Sequence, residues 1–134
     1  MRSTDFSAAP RHARAEAVFV GLNGFSGPGP MITQILRWPR VDRQLRAAPG
    51  YCWHHSYWVP PWSIGLLIGF STRAELTTFA RTPIHRDLVR WVMAPHPRTG
   101  RRPADAGFIR FYTGDPDGYT NGLWRAEEDQ PEWR

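Results

Sequence analysis

The chain has little that could close it covalently or anchor it. It holds one cysteine, Cys52, so no disulfide can form within the chain. A lone thiol fits a reducing compartment better than a secreted scaffold stapled by several pairs, and a cytoplasmic location is expected. No apolar run approaches the ~20 residues needed to cross a bilayer. The longest, from Ile64 to Phe70, is strand-sized and interrupted by Gly65 and Gly69. The opening segment MRSTDFSAAPRHARAEA lacks the apolar stretch of a secretory signal. It reads as a disordered lead-in over 1–16. Lysine is absent: all 17 basic residues are arginine, and the net charge is +5. There is no internal repeat, nucleotide loop, nucleophile elbow, C-x-x-C, H-E-x-x-H or paired-carboxylate motif.

What is present suits one domain. At 134 residues the chain can bury a core without staples, and 41% hydrophobic content argues against wholesale disorder. Arginine clamps phosphate well, so nucleic acid has to be weighed. Arg37, Arg40, Arg43 and Arg46 recur every three residues, which on a helix is a drifting solvated stripe. Neither a nucleic-acid nor a membrane partner is expected. Seven tryptophans stand out. Their large flat rings suit cores, interfaces and aromatic pockets.

Residues 17–24 alternate as a strand, with Val18, Val20 and Leu22 on one face and Phe19, Gly21 and Asn23 on the other. A helix is expected from Pro30, with Met31, Ile32, Ile35, Leu36 and Trp38 as its apolar side and Pro39 kinking or interrupting it. Residues 51–58 and 63–70 read as strands joined by a short turn. Gly65 and Gly69 share a face on which another group could approach closely. Thr72 and Glu75 form a capping box for a second helix, which restarts at Thr82 and Pro83. A polar, proline-rich loop follows, then a strand over 106–113. A tail over 114–134 carries Tyr119, Leu123 and Trp124, apolar residues that need cover.

The order β-α-β-β-α-β is an α+β, ferredoxin-like sandwich over 17–113. Its helices cover one face of the sheet. Apolar side chains on both faces imply that a second copy covers the other, giving a homodimer with the tail crossing to the partner subunit.

The segment SIGLLIGFSTRAELTTFARTPIHRDLVRWV, with Phe79, Ala80, His85 and Trp91 and the strand GFIRFY, resembles the dimeric α/β-barrel superfamily of antibiotic-biosynthesis monooxygenases. The resemblance spans about 17–113 and is nearest to the spheroidene monooxygenase-like branch. It implies a dimeric α/β barrel and a monooxygenase-like oxidoreductase, with haem b as a possible cofactor. A carotenoid substrate does not carry over, because this chain is much shorter.

The residues offer these candidates. His85, early in the restarted helix, would be neutral there and could be the axial ligand of haem iron, with Leu88 and Val89 against the porphyrin. His55 shares a strand face with Trp53 and Tyr57 and could act as an acid-base group. Arg110 could hold a carboxylate if buried. Trp53, Tyr57, Trp58 and Trp62 would shape a substrate pocket. Cys52 and His54 share a face on a flat strand, but two ligands do not make a zinc site. The expectation is a haem-binding oxygenase acting on a small hydrophobic or aromatic metabolite. One alternative is a cofactor-independent monooxygenase of aromatic polyketide-type substrates, with His55 as base. Another is a non-catalytic small-molecule-binding dimer.

Overall fold

The computed structural model describes residues 14–114. In order, the elements are β1 (Ala17–Phe25), α1 (Pro28–Ala47), β2 (Tyr51–Val59), β3 (Ser63–Phe70), α2 (Arg73–Ala80), α3 (Pro83–Met93) and β4 (Ala104–Thr113). The strands form one antiparallel sheet in the order β2-β3-β1-β4. This is the expected ferredoxin-like arrangement. Residues 1–13 of the lead-in and most of the tail fall outside the described residues, as does the expected crossing of the tail, while at the end of the lead-in Ala15 is buried and the Glu16 carbonyl accepts from the Gly114 amide at 2.8 Å.

Two helix expectations need adjustment. α1 begins at Pro28, two residues before Pro30, and runs unbroken through Pro39. Proline lacks an N–H, so the carbonyl of Ile35 loses its helical partner. Ile35 and Pro39 are both exposed, so water can satisfy that carbonyl and the helix need not end. α2 starts as expected: the Glu75 amide donates to Thr72 Oγ1 at 3.2 Å, and that hydroxyl donates to Glu75 Oε2 at 3.0 Å. α3 restarts behind Thr82, whose hydroxyl donates back to the Phe79 carbonyl at 2.7 Å.

All three helices lie on one side of the sheet. The main core there joins Ala17, Ile68 and Phe70 of the sheet to Val41, Leu45, Leu76 and Phe79 of the helices. A smaller cluster of Phe25, Val92 and Ala104 sits toward the other end. Strand pairing puts Trp53, His55 and Tyr57 of β2 on the helix-free face with Gly65, Leu67 and Gly69 of β3. Val18, Val20 and Leu22 of β1 and Phe108, Arg110 and Tyr112 of β4 complete that face.

The glycine face is not open. A Cβ at Gly65 would overlap the Tyr57 ring, and one at Gly69 would overlap the Trp53 indole. Tyr57 crosses β3 and donates to the Gly21 carbonyl at 3.3 Å. The glycines admit the chain's own aromatic rings, so the close approach expected there is made from within the chain.

Candidate functional site

β2 contains a bulge between Tyr51 and Trp53: these pair with Phe70 and Gly69, neighbours on β3. Two residues on one strand opposite one on the other shift the alternation. Tyr51 therefore joins His54 on the helix-facing side. Cys52 is buried beside Ser71, its Sγ 3.6 Å from Ser71 Oγ. The expected pairing of Cys52 with His54 on one face is lost to this bulge.

Above β2, the C-terminal half of α1 supplies Trp38, Asp42 and Arg46. His54 Nε2 is 3.0 Å from Asp42 Oδ1. Tyr51 Oη is 2.8 Å from His54 Nδ1. A carboxylate can only accept, so Nε2 carries the proton and donates it to Asp42. Nδ1 is then an acceptor, and the Tyr51 hydroxyl donates to it. Arg46 Nε donates to both Asp42 oxygens at 3.0 Å each. The Trp38 ring stands edge-on to the imidazole, with centroids 5.7 Å apart. The result is a hydrogen-bonded chain, Arg46–Asp42–His54–Tyr51, with Trp38 as its wall.

Burial decides the charge state. The His54 side chain is only 7% exposed. Desolvation pushes its pKa below the ordinary histidine value, Asp42 opposes this, and the charges on Arg46 and His55 lower it further. The Asp42 contact is therefore a charge-assisted hydrogen bond to a neutral imidazole at pH 7, not an ion pair. A neutral ring oriented by a carboxylate and joined to a hydroxyl is the arrangement of a general base. Arg46 has its pKa raised, first by its hydrogen bond to Asp42. Its side chain is 60% exposed, so that pair orients Asp42 more than it stabilises the fold.

The residues singled out from the sequence divide between the two sides of the sheet. His55 is exposed and lies against Trp53, ring centroids 5.5 Å apart. His55, Leu67, Val20 and Arg110 form one row across the four strands. Three strand spacings put His55 and Arg110 about 14 Å apart. Their side chains lie against neighbours on their own strands, Trp53 and Phe108, and are not brought together within a single chain. Arg110 is exposed, and its guanidinium sits 4.8 Å from the centroid of the Phe108 ring. It therefore needs no buried counter-charge. The four-ring pocket is not assembled either. Trp53 and Tyr57 cover the glycines, while Trp58 pairs with Ile64 on the opposite parity and is 63% exposed. Trp62 lies at the hairpin end and is 40% exposed.

His85 is on the helix side, with the sheet between it and the His55 face. Its Nδ1 is 2.9 Å from the Ala80 carbonyl, which fixes the proton on Nδ1 and leaves Nε2 as the acceptor. Desolvation lowers its pKa, and the backbone hydrogen bond opposes that. Such a ring could hold a metal, but the surroundings do not suit a porphyrin. Leu88 packs against the main core, and Val89 turns outward at 46% exposure. A shallow cleft of about 270 Å³ between α1 and α2 is lined by Gln44, Ala48, Pro49, Glu75, Thr78, Phe79 and Thr82, without His85. That is below the ~300 Å³ at which ligand pockets ordinarily begin. Among the described residues no group of three or more His, Cys, Asp and Glu side chains could hold a metal ion.

No protein-family model matches this sequence, and no curated protein matches it. Solved structures do match in fold. SnoaB, a cofactor-independent oxygenase from Streptomyces nogalater, aligns with TM-score 0.54 and 14% identity over 75% of this chain and 93% of its own. A monooxygenase from the gene ActVA-Orf6 of Streptomyces coelicolor, solved with the ligand Nanaomycin D, aligns with TM-score 0.56 and 13% identity, covering 75% and 88%. An antibiotic biosynthesis monooxygenase aligns with TM-score 0.56 and 12% identity, covering 72% and 95%. The fold is that of antibiotic biosynthesis monooxygenases, as the sequence resemblance implied. Identities this low establish the fold alone.

Proposed function

We propose that the protein is a monooxygenase-like oxidoreductase that oxidises a small, electron-rich aromatic metabolite without a resident cofactor. The observation that carries this reading is the buried, neutral His54 held by Asp42 and hydrogen-bonded to Tyr51. Support comes also from the fold, whose similar structures include a cofactor-independent oxygenase and a monooxygenase holding a small molecule. In this reading the base is His54 acting through Tyr51, rather than His55.

Cofactor-free oxygenation requires the substrate to be its own reductant. A base removes a proton from an acidic C–H or O–H, and the resulting carbanion or phenolate gives electrons to dioxygen. For a substrate methylene the balance is CH₂ + O₂ → C=O + H₂O, with all four electrons coming from the substrate. Tyr51 Oη takes the substrate proton as its own proton passes to His54 Nδ1. Asp42 stabilises the imidazolium so formed. Proton transfer by a positioned base contributes on the order of 10²–10⁴ in rate.

The helix-free face is expected to be covered by a second copy, which would enclose Trp53, His55, Tyr57 and Arg110 between two sheets. The alternative cofactor, haem b on His85, keeps one point in its favour, the free Nε2. The test separates the two. Chelator-treated protein should be colourless and should consume oxygen with a panel of naphthols and hydroxyanthrones. Turnover that appears only after hemin or iron is added, with a Soret band lost in His85→Ala, overturns the cofactor-free reading.

A further inference from the structure

At the end of the sheet where α1 begins, two loops are held side by side by consecutive residues of β1 and its exit. The Phe25 amide donates to the Trp62 carbonyl at 2.8 Å, and the Ser26 amide donates to the Pro103 carbonyl at 2.9 Å. The first loop is the hairpin tip WVPPW. Trp58 is 63% exposed, and Val59 and Trp62 are 40% exposed each. Pro60 and Pro61 between them are exposed and have no N–H to offer water. The second loop carries Arg98, Arg101 and Arg102, all exposed. Arg101 donates to the Ser26 carbonyl at 3.1 Å and lies 3.7 Å from Asp105. Neither Arg98 nor Arg102 has an ion-pair partner among the described residues.

We propose that this aromatic and basic end is a docking surface for an anionic lipid bilayer, with Trp58, Val59 and Trp62 seated at the headgroup level and Arg98 and Arg102 on lipid phosphates. Two exposed tryptophans on one tip would be costly in water, and apolar patches of this kind mark contact sites. Indole is amphipathic and favours the membrane–water boundary. Guanidinium binds phosphate with two parallel bonds. The sequence had suggested no membrane partner, because nothing in it can span a bilayer. No helix of the described residues is long and apolar enough to do so, and the contact proposed here is peripheral. It is independent of the proposed oxygenase chemistry, and its test does not use turnover.

The full chain is sedimented with vesicles of phosphatidylcholine alone and of phosphatidylcholine mixed equally with phosphatidylglycerol, at low and high salt. Binding is expected on the mixed vesicles at low salt, weak on neutral ones, and reversed by high salt. Each arginine near an anionic surface is worth about fivefold in partitioning, so Arg98→Gln with Arg102→Gln should cost roughly 20- to 30-fold. Trp58→Ser with Trp62→Ser should reduce binding at least tenfold and remove the blue shift of tryptophan emission that vesicles induce. The Trp62 bond uses its carbonyl, and the one side-chain bond lost, from Trp58 Nε1 to the Pro61 carbonyl at 3.3 Å, is exposed and within the tip, so both variants should keep the wild-type circular dichroism spectrum. Inorganic phosphate alone should give no blue shift. Equal binding to neutral and anionic vesicles, binding unchanged in either variant, or capture by an oligonucleotide with none by vesicles overturns the proposal.

Discussion

His54 Nε2 and Asp42 Oδ1 are 3.0 Å apart, and this contact decides which end of the imidazole can take a proton. With Nε2–H committed to the carboxylate, only Nδ1 is basic, and it faces the Tyr51 hydroxyl. Asp42→Asn would offer an amide N–H or a weaker acceptor there and allow the other tautomer. We expect Asp42→Asn to lower kcat by about 10²-fold or more with little change in KM, since the group acts on proton transfer. Steady-state kinetics with the best substrate of the phenol panel would check this; a change confined to KM would assign Asp42 to binding instead.

Stability should fall on acidification. In the unfolded chain histidine titrates at about 6.5, whereas burial lowers the pKa of folded His54 and of His85. Between the folded and unfolded values the unfolded chain binds more protons, so stability rises with pH. The contribution is complete above about 6.5 and is lost as pH falls from there through the folded pKa. Thermal melts should show a lower Tm at pH 5 than at pH 7.5. His54→Gln should flatten that difference in part, leaving the share due to His85. A pH-independent Tm in the wild type would mean that both rings are solvated.

Gln34 lies on the sheet-facing stripe of α1, between Met31 and Trp38, and is 7% exposed. Its Oε1 is buried without a hydrogen-bond partner among the described residues. An unsatisfied buried polar atom costs about 1–3 kcal/mol. Gln34→Met keeps the length of the side chain and removes the polar atom. It should therefore raise the unfolding free energy by about 1 kcal/mol, read by urea denaturation at unchanged m-value. A loss of stability would show that the amide is hydrogen-bonded in solution.

The helix-free face should close a homodimer. Leu67 lies in its central row, between His55 and Val20. Leu67→Arg would place a charge in the middle of that contact, where desolvation without a partner is costly. Light scattering should give a dimer for the wild type and a monomer for the variant at micromolar concentration. A wild-type monomer would mean that this face stays open to water.

Much of the fold could be read from the sequence because its signals are local. The alternation in 63–70 defines β3, the Thr72–Glu75 box starts α2, and Pro83 separates α3 from it. The candidate site was less legible. The Tyr51–His54 contact depends on a one-residue bulge that period-two reasoning cannot foresee. Asp42 sits in a run whose arginines read as a solvated stripe, so its sheetward reach was hidden by its neighbours. The glycines of β3 signalled a close approach correctly, but the approaching groups are Tyr57 and Trp53 rather than a ligand. His55 and Arg110 share a face of the sheet, yet the strand order β2-β3-β1-β4 puts them at its opposite edges, which no local pattern reveals.

Isotope tracing tests cofactor-free oxygenation through His54. Chelator-treated wild-type protein and His54→Gln are incubated with an active phenol or anthrone under ¹⁸O₂, and label is measured in product and water. One labelled oxygen atom is expected in the product and the other in water, formed by colourless protein, with a rate on the order of 10²-fold lower in His54→Gln. Label that enters only after iron or hemin is supplied, or at the same rate in His54→Gln, would contradict that chemistry.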